Sequence, residues 1–315
     1  LEAKGEAIMK TDVYQNITDQ IIADIESGSA KGSDWVMPWH RDGKGGAGFP
    51  VSLSTGKPYR GVNVIALWCS ASRQGFDSSL WGTFKQWKAQ GASVRKGEKG
   101  TKVVFWKQLR IEDKEKGEDG ERVIPLLKQF TVFNADQVDG FEGEVKPDSD
   151  IGADREGEAD VIETAEAIIE QTGAVINYGG DRACYVPGID QIFMPQREQF
   201  TATDTSTATE RFYSTAFHEL AHWTGADHRL ARGKGNKFGS TDYAFEELVA
   251  ELGAAFTCAI VGVSSAPRAD HAQYIANWLE KLKSDKRFIF EAAKHATKAA
   301  DMITGEQAEQ ERKAA

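Results

Sequence analysis

The chain has 315 residues, of which 40% are hydrophobic and 27% charged, and it carries a formal net charge of −10. This is a globular composition long enough for two ordinary domains, and no apolar run approaches the roughly 18 to 20 residues that span a bilayer, so no membrane partner is expected. Cys69, Cys184 and Cys258 are odd in number and far apart, which argues against a disulfide framework or a cysteine zinc site and points to a reducing cytoplasm.

Residues 12–26 place Val13, Ile17, Ile21, Ile22 and Ile25 at helical spacing, and Gly28 ends the pattern. Residues 31–57, rich in Gly, Pro and Ser, predict an irregular loop. Residues 63–72 and 81–90 read as two further helices, and 102–108 and 126–134 as strands flanking a charged excursion over 112–122. The acidic total hides an uneven distribution. Residues 31–110 hold 14 Lys and Arg against 4 Asp and Glu, a local charge of +10, together with six of the eight tryptophans. Single-stranded nucleic acid is held by cations that neutralise phosphates and flat side chains on which bases stack. Trp81, Lys85, Trp87, Arg95, Lys96, Lys99 and Lys102 supply both in one run; the alternative is that the tryptophans are core and the lysines a solvated face.

Four words of this half, W-V-M-P-W at 35–39, T-G-K-P-Y-R-G-V-N at 55–63, W-G-T-F-K-Q-W at 81–87 and G-A-S-V-R-K-G-E-K-G-T-K-V-V-F-W at 91–106, resemble the N-terminal domain of ArdC-type antirestriction proteins. That domain is shared with the N-terminus of TraC-type plasmid primases. The resemblance extends over residues 13–303. It implies a domain that binds single-stranded DNA, adds Trp35, Trp39, Tyr59 and Arg60 to the contact candidates, and implies a metallopeptidase-like domain to follow. The implied setting is a plasmid-carried protein that protects incoming DNA from the recipient's restriction enzymes.

Residues 141–158 are acidic and Gly-rich and read as a mobile linker. Helical spacing resumes at 160–172, and V-I-N-Y, C-Y-V and Q-I-F-M within 174–195 predict a small antiparallel sheet; the resemblance to zincin-like domains implies that an edge strand there holds a peptide. Residues 209–223 then predict a helix whose apolar stripe, Phe212, Ala216, Leu220 and Trp223, lies away from His218 and His222. These two histidines flank Glu219 in the order H-E-x-x-H. One helical turn apart, both imidazoles can bind one metal ion while Glu219 reaches a water beside it. The expected ion is Zn2+, with another divalent metal such as Mn2+ as the alternative.

A third ligand is needed. Residues 243–256 place Glu247 and Glu251 one turn apart on a helix that is otherwise apolar, and two buried carboxylates demand a cation. The spelling E-L-V-A-E resembles the gluzincin helix. That match makes Glu247 the ligand, with Glu251 holding a histidine from behind, although the reverse assignment stays open. His228 is the rival, because residues 218–228 also spell the metzincin pattern H-E-x-x-H-x-x-G-x-x-H, but the methionine turn that pattern requires is missing. Residues 271–303 read as two packing helices. The expected fold is α+β in two domains: an N-terminal α+β single-stranded-DNA-binding domain over 10–140, the linker over 141–158, a zincin-like (gluzincin) metallopeptidase domain over 159–305, and a polar tail over 306–315. The expected partners are single-stranded DNA and an unidentified protein or peptide substrate. Two other functions fit the residues: a DNA-binding protection protein whose metal site cleaves nothing, and an ImmA-like regulatory peptidase.

Overall fold

Asp12 opens the first helix by accepting the backbone N–H of Gln15 at 3.2 Å, and behind it Ile17, Ile21 and Ile25 form a wholly buried stripe. The computed structural model describes residues 12–29, 37–40, 48–112, 121–143, 162–203, 206–232, 241–263, 265 and 271–306. Its N-terminal half comprises α1 (Val13–Ser29), β1 (Val51–Ser52), α2 (Val62–Gln74), β2 (Leu80–Thr83), α3 (Phe84–Ala89), β3 (Ser93–Val94), β4 (Thr101–Glu112), β5 (Glu121–Asn134) and β6 (Val138–Asp139). The C-terminal half comprises α4 (Glu163–Gln171), β7 (Val175–Tyr178), β8 (Cys184–Val186), β9 (Gln191–Met194), α5 (Ala208–Trp223), α6 (Thr241–Val261), α7 (His271–Ser284) and α8 (Phe288–Thr304). The fold is α+β, as expected.

The N-terminal half carries a four-stranded sheet in the order β1-β2-β5-β4, dominated by the long antiparallel β4–β5 hairpin. The helix expected over 81–90 is instead a strand followed by a short helix. Trp81 and Gly82 pair with Asn134 and Phe133, and only then does Thr83 cap α3, accepting the backbone N–H of Gln86 at 3.3 Å while the Gln86 side chain caps Thr83 in return. The second sheet, β7-β9-β8, is mixed rather than antiparallel, because β9 enters between its predecessors and runs parallel to β7. Gly179 and Gly180, both at positive φ, turn the chain out of β7 so that β8 lies on the far side.

The two halves share one core. Ile17 and Ile21 of α1 and Ile65 and Trp68 of α2 belong to the same buried cluster as Leu248, Leu252 and Phe256 of α6 and Ile289 and Ala296 of α8. The opposite face of α6, Ala250, Ala254 and Cys258, packs with Phe212, Ala216 and Leu220 of α5 in a second cluster that also takes in α4 and β9. Helix α6 is therefore buried on both sides, which is why its sequence lacks a polar face. Of the expected linker, residues 144–158 lie outside the described residues, and Phe141 at its predicted start packs edge-on against Trp87 at 5.0 Å.

Candidate metal centre

Thr207 caps α5 with Glu210 in a reciprocal box, and the helix then carries His218, Glu219 and His222 against α6. His218 Nε2 and His222 Nε2 lie 3.1 Å apart. From α6, Glu247 brings Oε2 to 3.5 Å from His218 Nε2 and Oε1 to 3.6 Å from His222 Nε2. A tetrahedral ion with bonds near 2.1 Å holds its ligand atoms about 3.4 Å apart. The three donors thus already stand at the edges of such a site, and they form a cluster with metal-ligating geometry among the described residues. The donor set, two imidazoles and a carboxylate, suits a divalent ion. Burial alone would raise the Glu247 carboxyl; hydrogen bonding by His218 and the charge of both imidazoles hold it down at about 2.

Each imidazole is gripped from behind. His218 Nδ1 lies 3.3 Å from Glu251 Oε2, and His222 Nδ1 lies 3.5 Å from Glu246 Oε1. Glu246 is in turn clamped by Arg232 through Nε at 3.2 Å and Nη2 at 3.0 Å. Burial opposes ionisation of Glu246, but His222 and Arg232 hold its carboxyl below the ordinary range. Gly225 sits tightly here: a Cβ would stand 3.0 Å from the His222 carbonyl oxygen and 3.2 Å from both the Arg232 guanidinium and Glu246. The glycine of the H-x-x-G spelling makes room for this clamp. Glu219 is buried and accepts the backbone N–H of Tyr185 on β8 at 2.8 Å, so the strand is fastened to the metal helix at the carboxylate.

His228 does not join the cluster. Its side chain is 64% exposed and faces Asp190 Oδ2 at 3.4 Å, in a loop fastened by the Arg229–Asp190 ion pair and by Arg229 lying over the Trp223 ring. The hydrogen bond from Arg229 holds the Asp190 carboxyl at about 2.

The expected nucleic-acid contacts divide sharply. Trp39, Tyr59, Trp81 and Trp87 are buried, with Trp87 Nε1 donating to the Phe133 carbonyl at 3.0 Å, so their faces are core and closed to bases. That corrects the expectation for these four, and Trp35 lies outside the described residues. Arg60 is exposed but ion-paired with Asp301, and Arg95 ties its own turn together through Glu98 at 3.0 Å. Lys85, Lys96, Lys99 and Lys102 are exposed cations. The exposed rings are ones that sequence reasoning missed: Phe84, and Phe105 with Phe130, which meet edge-on at 5.6 Å across the β4–β5 hairpin with Lys128 opposite Phe105 in register. Phe105 and Phe130 share a strand face with Val103 and Val132, which are buried, so by alternation both rings read as core. Glu246, Tyr185 and Arg232 were also missed, as was His40, buried in the loop after α1 and joined to Glu251.

Comparison with known proteins agrees with this architecture. Residues 11–133 match the family described as the N-terminal domain of anti-restriction factor ArdC, and residues 163–295 match the zincin-like metallopeptidase family. The crystal structure of the antirestriction protein ArdC from plasmid R388, metal-free, is 39% identical, with 95% of this chain and 98% of that one covered at a TM-score of 0.74. Its Mn(II)-bound form is 38% identical, with 93% and 97% covered at 0.72. The uncharacterized protein y4eC of Sinorhizobium fredii is 41% identical, covering 96% of this chain and 94% of its own length. The DNA primase TraC of Escherichia coli is 35% identical over 93% of this chain, which spans only 20% of TraC.

Proposed function

Because the chain belongs to the ArdC family of antirestriction factors, we propose that it binds single-stranded DNA entering the cell, protects it from host restriction, and acts there as a metal-dependent peptide hydrolase of the cytoplasm. The observation that carries the hydrolase reading is the cluster of His218, His222 and Glu247 at tetrahedral spacing with Glu219 beside it on the same helix. Zn2+ is the proposed ion, and the Mn(II) form of the R388 relative supports Mn2+ as the alternative. When bound, such an ion supplies Lewis acidity that lowers the pKa of water and polarises a carbonyl. Glu251 and Glu246 orient the two imidazoles, and Glu247 completes the donor set. Glu219 takes a proton from the attacking water at its carboxylate and returns it to the leaving amine. For DNA, Lys85, Lys96, Lys99 and Lys102 neutralise phosphates, and Phe84, Phe105 and Phe130 offer the stacking faces that the buried tryptophans do not.

A second reading, a DNA-binding protection protein with a non-catalytic metal site, is favoured by one contact. The Glu219 carboxylate already accepts the Tyr185 backbone N–H, an engagement a structural site would also use. Glu219→Gln separates the two. It should retain metal and single-strand binding yet lose peptide hydrolysis and protection of transferred DNA. Full protection by Glu219→Gln leaves catalysis dispensable and the second reading standing.

A further inference from the structure

From the buried contacts behind the metal helix, we propose that His40, supplied by the N-terminal half, is a positioning residue of the metal centre in the C-terminal half. The inference rests on the reading of His218, His222 and Glu247 as metal ligands.

His40 is 3% exposed and its Nε2 contacts Glu251 Oε1. The other Glu251 oxygen, Oε2, lies 3.3 Å from His218 Nδ1. On its far side His40 Nδ1 meets Ser265 Oγ at 3.1 Å, and Ser265 Oγ accepts from Ser214 Oγ at 3.4 Å. One assignment of protons suits this chain of contacts. The Ser265 hydroxyl donates to His40 Nδ1, His40 Nε2–H donates to Glu251 Oε1, and the His218 Nδ1–H faces Glu251 Oε2 across 3.3 Å as an ion-pair contact. That leaves the His218 Nε2 lone pair directed at Glu247 and His222, where a metal needs it.

Glu251 is a buried carboxylate, so both oxygens need cationic or N–H neighbours, and His218 faces one of them. The other is met from a loop distant in sequence that is pinned by buried neighbours, Met37 and Trp39. Phe49, after that loop, lies 5.9 Å from both Trp68 and Phe256, which anchors the same stretch to α6 two turns from the glutamates. A carboxylate fixed at both oxygens holds the imidazole in one orientation and one tautomer. With Oε1 released, Glu251 can rotate, and His218 loses its alignment.

The test is metal affinity of the full-length protein, read by competition of Mn2+ or Zn2+ against a chromophoric chelator. His40→Phe keeps the ring and removes the donor, whereas His40→Gln places an amide N–H close to the position of Nε2. We expect His40→Phe to bind about 10-fold or more weakly, within the range for loss of an outer partner of a ligand, and His40→Gln to recover most of that loss. In a Glu251→Gln background, His40→Phe should add less than about twofold, because it acts through Glu251. Wild-type affinity in His40→Phe, or a loss in His40→Gln as large as in His40→Phe, overturns the proposal, as do fully additive effects with Glu251→Gln. Should His40→Phe fail to fold, His40→Leu, which also removes the donor, takes its place in both comparisons. Failure of the wild type to bind either ion would instead refute the metal-ligand reading itself.

Discussion

Alanine at Glu247, Glu251 and His228, one at a time, separates three groups that the sequence leaves interchangeable. Glu247 faces both imidazole Nε2 atoms, at 3.5 and 3.6 Å, so an ion seated between the imidazoles meets its carboxylate directly. Its loss leaves two neutral donors for a divalent charge. Affinity should then fall by more than the ~10- to 100-fold that follows removal of a supporting partner, which is upward of ~2.8 kcal/mol. Glu251 touches the far nitrogen of one imidazole and should stay inside that range. His228 is mostly exposed in an outer loop, where a substitution shifts free energies by about 0.5 kcal/mol or less, so its affinity should change by less than about threefold. Chelator competition on full-length protein, with metal-free melting curves to exclude unfolding, measures all three. A collapse of binding in His228→Ala with wild-type behaviour in Glu247→Ala would refute the assignment.

Gly225→Ala should weaken metal binding without unfolding α5, because the added methyl pushes on the Arg232–Glu246 clamp behind His222; an unchanged affinity removes that clamp from the account. Trp87→Ala should destabilise the fold by about 3–5 kcal/mol in urea titrations, whereas Phe105→Ala should leave stability nearly unchanged and weaken single-strand binding by about 1–3 kcal/mol. The reverse pattern would restore the tryptophan as a contact. Asp24 gives a pH test. Burial lifts its carboxyl from 3.8 to about 6 despite Arg73 at 2.9 Å, so the folded state binds this proton more tightly than the unfolded chain. Its stability contribution is full below about pH 3.8 and is lost as pH rises through about 6. A shift of about two units corresponds to ~3 kcal/mol, so the advantage of Asp24→Asn over wild type should grow by roughly 2–3 kcal/mol between pH 4 and 7.5. Parallel pH–stability curves for the two proteins would contradict it.

Local periodicity made the helices and the β4–β5 hairpin legible, and H-E-x-x-H with E-L-V-A-E named the residues that the structure gathers into one cluster. What escaped depends on packing between distant segments. Trp81 and Trp87 have the composition of a stacking surface, but Trp81 pairs with Asn134 in the sheet and Trp87 is closed over by Phe141, and neither partner lies near them in sequence. The strand–helix switch at Thr83 was written as a capping box within a run whose periodicity looked helical throughout. His40 had no motif at all, since its role exists only where a loop after α1 meets the middle of α6.

That meeting bears on how the two halves work together. Two domains joined by a flexible linker would let DNA binding and metal chemistry vary independently, the linker merely raising local concentration. Here α6 carries Glu247 and Glu251 on one side and, through Leu248, Leu252 and Phe256, shares a core with α1 and α2 on the other. Close-packed interiors transmit displacement poorly damped, so a shift of α1 or α2 by even a fraction of an ångström must be absorbed by the helix that holds the carboxylates. An event on the N-terminal sheet can therefore reach the metal centre through α6 or the His40 loop. By linkage, whatever free energy DNA binding adds to metal affinity, metal binding must return to DNA affinity. Single-strand titrations with and without Mn2+ should give a coupling equal in size and sign to that from metal titrations with and without DNA, and a coupling that vanishes in His40→Phe but persists in Phe256→Leu would assign the connection to the loop rather than the core.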